Sequence, residues 1–342
     1  MTVTIKDIAE RTGKSITTVS RALHDYDDVA PETKELVRRT ALELGYEPNR
    51  LAQRLQKRRT ETIGLILPTF GPRFSDPFFS EFLAGIGNTA AAAGYDLLVS
   101  TQAPGPAEIE AYRRKVQGHQ VDGFIIVRTR RQDARIDYLR RAGVPFVAFG
   151  RTEGILDFPF VDEDGALGMR LVADHLVALG WRRIACITPP RELMFAYYRL
   201  QGLREGLAAH GIPLSADDIV EGDLTQRGGF RDAGRLLDRT ERPEAIAACN
   251  DLMALGAMSA AQSRGLVVGR DLAVTGFDDI PMAEHSHPPL TTVHQPIYEI
   301  GCMVTTMLLT ILAGRTPEQS QVLLQPRLIV RSSCGSSTLP TV

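Results

Sequence analysis

Ile63-Gly64-Leu65-Ile66-Leu67 is the first of a series of short apolar runs, and it divides the chain into two textures. After it come residues 95–100, 123–127, 145–149, 184–188, 245–249 and 273–277, mostly separated by helical-length stretches such as 78–93 and 167–179. Runs of this length without polar alternation fit strands of a parallel sheet covered on both faces. Strands alternating with helices then predict an α/β fold of the doubly wound kind. The stretch is longer than one sheet usually holds, so two similar subdomains are expected over 61–333. Residues 322–324 and 328–330, around Gln325-Pro326-Arg327, read as a terminal hairpin or a crossover, and 334–342 as a loose tail.

Working back from Ile63, the texture is helical throughout. Ile5, Ile8 and Ala9 share a face, and Thr4 with Asp7 three later makes a capping pair. Gly13 stops that helix, and Ser15 can cap a second over 16–24. Pro31 opens a third and Gly45 follows it, with Leu36, Val37, Ala41 and Leu44 as its apolar stripe. The expected head is therefore an all-α domain over 1–48. Residues 49–60 form a basic segment, in which Leu51 and Leu55 share one face and Arg50 and Arg54 another. A helix that short is marginal in water unless something else stabilises it. A flexible basic linker is the other reading.

Charge follows the same division. Residues 1–60 carry 12 basic and 9 acidic side chains, a balance of +3, which leaves the remainder at −5 within a total of −2. A mildly basic head on an acidic body invites a nucleic-acid partner. Cys186, Cys249, Cys302 and Cys334 make no CxxC pair, so neither a disulfide framework nor a zinc ribbon is expected, and no metal or cofactor is implied. The opening Met1-Thr2-Val3-Thr4 lacks a secretory pattern, and no apolar run approaches the roughly 18 residues of a membrane span. The expectation is a cytoplasmic protein without a membrane partner.

Two short helices joined at a Gly turn have helix-turn-helix spacing. Ser15, Thr18 and Ser20 suit phosphate contacts, whereas Ile16, Thr17 and Arg21 suit base edges in a major groove. An ordinary helical hairpin with solvated hydroxyls is the alternative. In the body, Asn250 and Asp278 each follow or end an apolar run, which aims them at a cleft beyond the strand ends.

The run Thr4-Ile5-Lys6-Asp7-Ile8-Ala9, Gly13-Lys14-Ser15, Thr18-Val19-Ser20-Arg21-Ala22-Leu23 and Gly45-Tyr46-Glu47-Pro48-Asn49, with Ala52 and Leu55, resembles the head of the LacI/GalR family of transcriptional repressors. Residues 175–184, 249–256, 274–279 and 289–296 resemble that family's sugar-sensing core, which is similar to periplasmic binding proteins. Lys14, where members commonly carry a small apolar residue, is a departure, as is Trp181 in place of His or Tyr. The resemblance implies a homodimer on double-stranded, near-palindromic operator DNA. Thr4 joins the DNA-contacting set, and Asn49, Arg50, Ala52 and Leu55 become a minor-groove hinge with Leu55 as the wedge. It also implies a small carbohydrate effector, held by Asp76, Phe79, Arg199, Asn250, Asp278 and Gln295. Arg151 is an extra clamp or a salt-bridged loop residue, and its run leans toward a glucoside or oligosaccharide.

A second function class is an α/β enzyme acting on a sugar, with an incidental helical head. Against it, no clustered nucleophile, base and orienting group is visible. Gly85-Ile86-Gly87-Asn88-Thr89-Ala90 fits a dinucleotide fingerprint only formally, because it falls inside a predicted helix instead of at a strand-to-helix turn.

Overall fold

The structure is a computed structural model that describes residues 3–46, 59–69, 76–154 and 156–335. The chain divides into two compact units, 1–60 and 61–342.

The first unit is helical. Helix α1 (Ile5–Thr12) opens on the capping pair: Thr4 N–H donates to the Asp7 carboxylate at 2.7 Å, and the Thr4 hydroxyl does so at 2.8 Å. Gly13 closes it in the left-handed region at φ 64°. Helix α2 (Ile16–Leu23) starts from Ser15, whose hydroxyl oxygen accepts Thr18 N–H at 3.0 Å, and ends one residue before the expected His24. Helix α3 (Pro31–Leu44) begins on Pro31 and stops at a left-handed Gly45. Ile8, Ala9, Val19, Ala22, Val37 and Ala41 fill the small core between them.

The second unit holds two six-stranded sheets. The first contains β1 (Thr62–Pro68), β2 (Asp96–Gln102), β3 (Gly123–Ile126), β4 (Phe146–Phe149), β5 (Phe160–Glu163) and β11 (Gln321–Leu324), ordered β11-β5-β4-β3-β1-β2. The second contains β6 (Ile184–Thr188), β7 (Ile219–Glu221), β8 (Ala245–Ala248), β9 (Ala273–Asp278), β10 (Thr291–His294) and β12 (Arg327–Ile329), ordered β12-β10-β9-β8-β6-β7. All pairings are parallel except β10 with β12. Helices α4 (Pro77–Ala92), α5 (Pro106–Gln117), α6 (Ala134–Ala142) and α12 (Ile297–Leu312) accompany the first sheet. Helices α7 (Gly165–Ala178), α8 (Met194–Ala209), α9 (Gln226–Leu237), α10 (Asp251–Gln262) and α11 (Pro281–His285) accompany the second.

The chain crosses between the two halves three times: from β5 into α7, from β10 into α12, and from β11 into β12. Residues 322–330 are thus a crossover and no hairpin. Strands β5, β7 and β10 escape the sequence reading because Phe-Val-Asp-Glu, Ile-Val-Glu and Thr-Thr-Val-His are too short or too polar to register as apolar runs. Cys334, where the sequence predicts the tail to begin, is buried together with Ser333. Ser333 Oγ donates to Val274 O at 2.5 Å, and Trp181 Nε1 donates to Cys334 O at 3.0 Å. The stretch 253–258 belongs to the core, with Met253 and Met258 both buried. No helix among the described residues is long and apolar enough to cross a membrane.

Candidate functional site

On the head, α2 presents a polar rim. Ser15, Ile16, Thr17 and Arg21 are exposed, Thr18 and Ser20 half-buried, and Val19 and Ala22 face the core. Ile16 is an apolar side chain left 50% exposed at the first position of a helix. Arg21 is not free: Nε donates to Asp28 Oδ1 at 3.1 Å, and the guanidinium lies 5.0 Å from the Tyr26 ring centre. Asn49, Arg50, Ala52 and Leu55 lie outside the described residues.

On the body, strand ends and crossings converge on a cleft. Asp76, Phe79, Arg199, Asn250, Asp278 and Gln295 all line it. Arg151 does not. It stands behind the wall, where Nε donates to Asp162 Oδ2 at 2.6 Å and the guanidinium stacks 4.0 Å from the Tyr198 ring centre. Asp162 and Tyr198, which Arg151 holds, are the residues that reach the cleft there.

Arg199 is held on three sides. Nη1 donates to Cys249 O at 2.5 Å, Nη2 to Asp278 Oδ1 at 3.3 Å, and the guanidinium lies 3.5 Å from the Phe277 ring centre. The side chain is only 6% exposed, yet its Nε has no hydrogen-bond partner. Gly165 at the start of α7 leaves it room, since a Cβ there would sit 3.2 Å from Arg199 Cγ. Asp278 also accepts from Gln295 Nε2 at 2.6 Å. It ends β9 at φ 116°, followed by Asp279 at 58°, a backbone that costs about 1–3 kcal/mol per such residue. Burial outweighs the Arg199 charge and pushes the Asp278 carboxyl up to about 7. Asn250 serves as the cap of α10: Oδ1 accepts Met253 N–H at 3.0 Å and Nδ2 donates to Leu224 O at 3.2 Å.

On the first sheet, Asp76 caps α4 and pairs with Arg128, Nη2 to Oδ2 at 2.9 Å, while Arg128 also covers the Phe79 ring at 4.9 Å. Burial raises the Asp76 carboxyl above its ordinary value despite that partner. Arg128 sits at φ 50° in the loop after β3. A fully buried Arg135 pins that loop, donating to Arg128 O at 3.0 Å, Val127 O at 3.1 Å and the Asp133 carboxylate. Phe79 packs in a cluster with Phe78, Phe82 and Phe149.

Sequence reasoning missed Arg128, Phe149, Phe195 and Glu163 in the lining. Glu163 is 5% exposed and neither carboxyl oxygen has a hydrogen-bond partner; burial pushes its pKa up to about 9. The rule that singled out Asp278 also applies here, because Glu163 ends β5. With β5 unrecognised, the rule had no strand to act on.

Residues 4–49 match the family model described as bacterial regulatory proteins, lacI family, and residues 173–334 match that of a periplasmic binding protein-like domain. The HTH-type transcriptional regulator CelR of Thermobifida fusca is 35% identical over 333 residues, covering 96% of this chain and 98% of that protein. A solved transcriptional regulator CelR–cellobiose complex superposes with a TM-score of 0.75 at 34% identity, over 97% of this chain and 99% of that one. A lac repressor dimer bound to operator and the anti-inducer ONPF gives a TM-score of 0.85 at 30% identity, over 98% and 100% respectively.

Proposed function

Since this chain belongs to the LacI family of bacterial regulatory proteins, we propose that it is a repressor that dimerises on a near-palindromic operator and loosens its hold when a small carbohydrate enters the cleft. It is a DNA-binding transcriptional regulator and not an enzyme. In this reading α2 enters the major groove, with Ile16 against a thymine methyl and Arg21 forked onto a guanine. The exposure of Ile16, an apolar side chain beside the exposed Thr17 and Arg21, supports that placement. Arg21 must leave Asp28 to reach a base, and an exposed pair of this kind is worth at most about 1 kcal/mol.

The observation that carries the ligand half is Arg199. A guanidinium fixed by Cys249, Asp278 and Phe277, with Nε unpartnered at a cleft wall, is a preorganised donor for an oxygen-rich ligand. Asp278 and Gln295 add acceptor and donor capacity beside it, and Phe79, Phe149, Phe195 and Tyr198 supply apolar and aromatic surface for the C–H faces of a sugar ring. The relative solved with cellobiose supports a saccharide in this place. A carbohydrate effector would bias a body built from two halves joined by three crossings, a hinge-like arrangement in which a few residues absorb the change.

The test uses the full chain. An operator is selected from a randomised duplex pool, and its affinity is measured by fluorescence anisotropy with and without cellobiose, maltose or glucose. The native protein should lose operator affinity in the presence of at least one of them. Arg199→Lys, which keeps the charge and loses the fork, should need about tenfold or more ligand for the same response. An unaltered response in that variant would place the ligand elsewhere.

A further inference from the structure

Glu163 is the one lining acid of the cleft whose carboxyl oxygens are both buried and both without a partner among the described residues. A buried carboxyl left unmatched is costly, and groups of this kind in a cleft are matched by what the cleft takes in. The other charges are already settled. Arg128 faces Asp76, Arg151 faces Asp162, and Arg199 faces Asp278. An anionic ligand would therefore meet the carboxyl groups of Asp76, Asp162, Glu163 and Asp278 against only Arg128 and Arg199, each of which already faces one of them. A cationic ligand would have to approach Glu163 beside the Arg199 guanidinium, which repels it.

We propose that Glu163 selects the effector: its carboxyl hydrogen-bonds a ligand hydroxyl directly, and the cleft takes an uncharged saccharide while turning away sugar phosphates and uronates. This rests on the carbohydrate reading above and adds a discriminating residue and a charge class to it. The carboxyl is kept protonated by its surroundings. Burial dominates, Asp278 from β9 and Asp162 and Asp164 from its own turn oppose ionisation, and Arg199 from α8 favours it, with the balance at about 9. A protonated carboxyl offers one O–H donor and one acceptor, the complement of a sugar hydroxyl. Above its pKa the donor is gone and affinity falls. Asp278 changes charge near 7, below that window, and burial holds the Tyr198 phenol above its ordinary value.

The experiment is calorimetric titration of the full chain with cellobiose, maltose, glucose, glucose 6-phosphate, glucuronate and glucosamine between pH 7 and 10. At least one neutral saccharide should bind, with the phosphate and uronate at least about tenfold weaker. Neutral-saccharide affinity should decline as pH passes about 9 in the native protein. Glu163→Gln, which keeps one donor and one acceptor, should stay within about threefold at pH 7 and lose that decline. Glu163→Leu should fold and bind about tenfold or more weakly. Saccharide binding with Glu163→Leu indifferent, or with no pH effect in the native chain, overturns this proposal and leaves the carbohydrate reading standing. Glucosamine preferred over glucose, with the preference lost in Glu163→Gln, makes the residue an ionised counter-charge and also overturns it. A panel silent throughout overturns both readings.

Discussion

Glu163 sets function against stability within a single side chain. Its folded-state pKa of about 9 lies far above the ordinary carboxyl value near 4.3, so the folded chain keeps a proton that the unfolded chain releases. The sign follows: the titration-linked cost of the residue is absent below about pH 4, grows as pH rises toward 9, and is constant beyond. Glu163→Gln should therefore be indistinguishable from native in melting temperature at pH 4 and more stable at pH 8, by up to several kcal/mol. Thermal melts at both pH values check this, and equal gains at the two would contradict the titration. Asp28 is the comparable residue on the head. Asp28→Asn frees Arg21 and removes a negative charge near the reading helix, so total DNA affinity should rise, by about tenfold at most. Anisotropy with a selected and a scrambled duplex measures whether the gain is shared by both sequences, as loss of a sequence-blind repulsion requires.

Helices α4 and α12 approach so closely that backbone meets backbone. A Cβ on Gly85 would fall 2.2 Å from Tyr298 O, and one on Gly301 2.5 Å from Phe82 O. The same motif holds Gly87, around which nothing lies within 4 Å. Gly85→Ala should destabilise the body by about 1–3 kcal/mol through overpacking, whereas Gly87→Ala should stabilise it by about 0.5–1 kcal/mol by raising helix propensity. Urea melts distinguish them, and equal effects would mean the crossing is looser than this spacing. Packing therefore accounts for Gly85, and helix α4 is where the formal dinucleotide fingerprint lies. The head's caps act at the same scale. Thr4→Ala removes the side-chain half of the α1 capping pair and should cost about 0.5–2 kcal/mol of head stability, readable by circular dichroism melts.

At the scale of the whole chain, the division into two compact units implies two unfolding transitions. Without DNA, a bound saccharide should raise only the larger one, by a stabilisation of about 2.7 kcal/mol at a hundredfold excess over Kd. Scanning calorimetry checks it, and a saccharide shift of the smaller transition alone would misassign the cleft. The body's two sheets are alike in layout and residues of both halves line the cleft, so the site exists only where three chain crossings hold the halves together.

The helical head, the strand–helix alternation and the strand-end candidates Asn250 and Asp278 were legible in local sequence, whereas Asp76, Phe79, Arg199 and Gln295 entered only through the family resemblance; all six line the cleft. Caps, apolar periodicity and strand-end position are local properties, written within a few residues of where they act. Arg128, Glu163 and the indirect place of Arg151 were not, for one reason. Whether a charged side chain is paired, and by which partner, depends on residues far apart in the chain: Arg128 with Asp76, or Arg199 with Asp278. A polar strand such as β5 is likewise a strand only because β4 and β11 flank it. Local chemistry chose the elements; which charges were left unanswered inside the cleft was decided by packing, because desolvation and pairing are properties of the assembled fold.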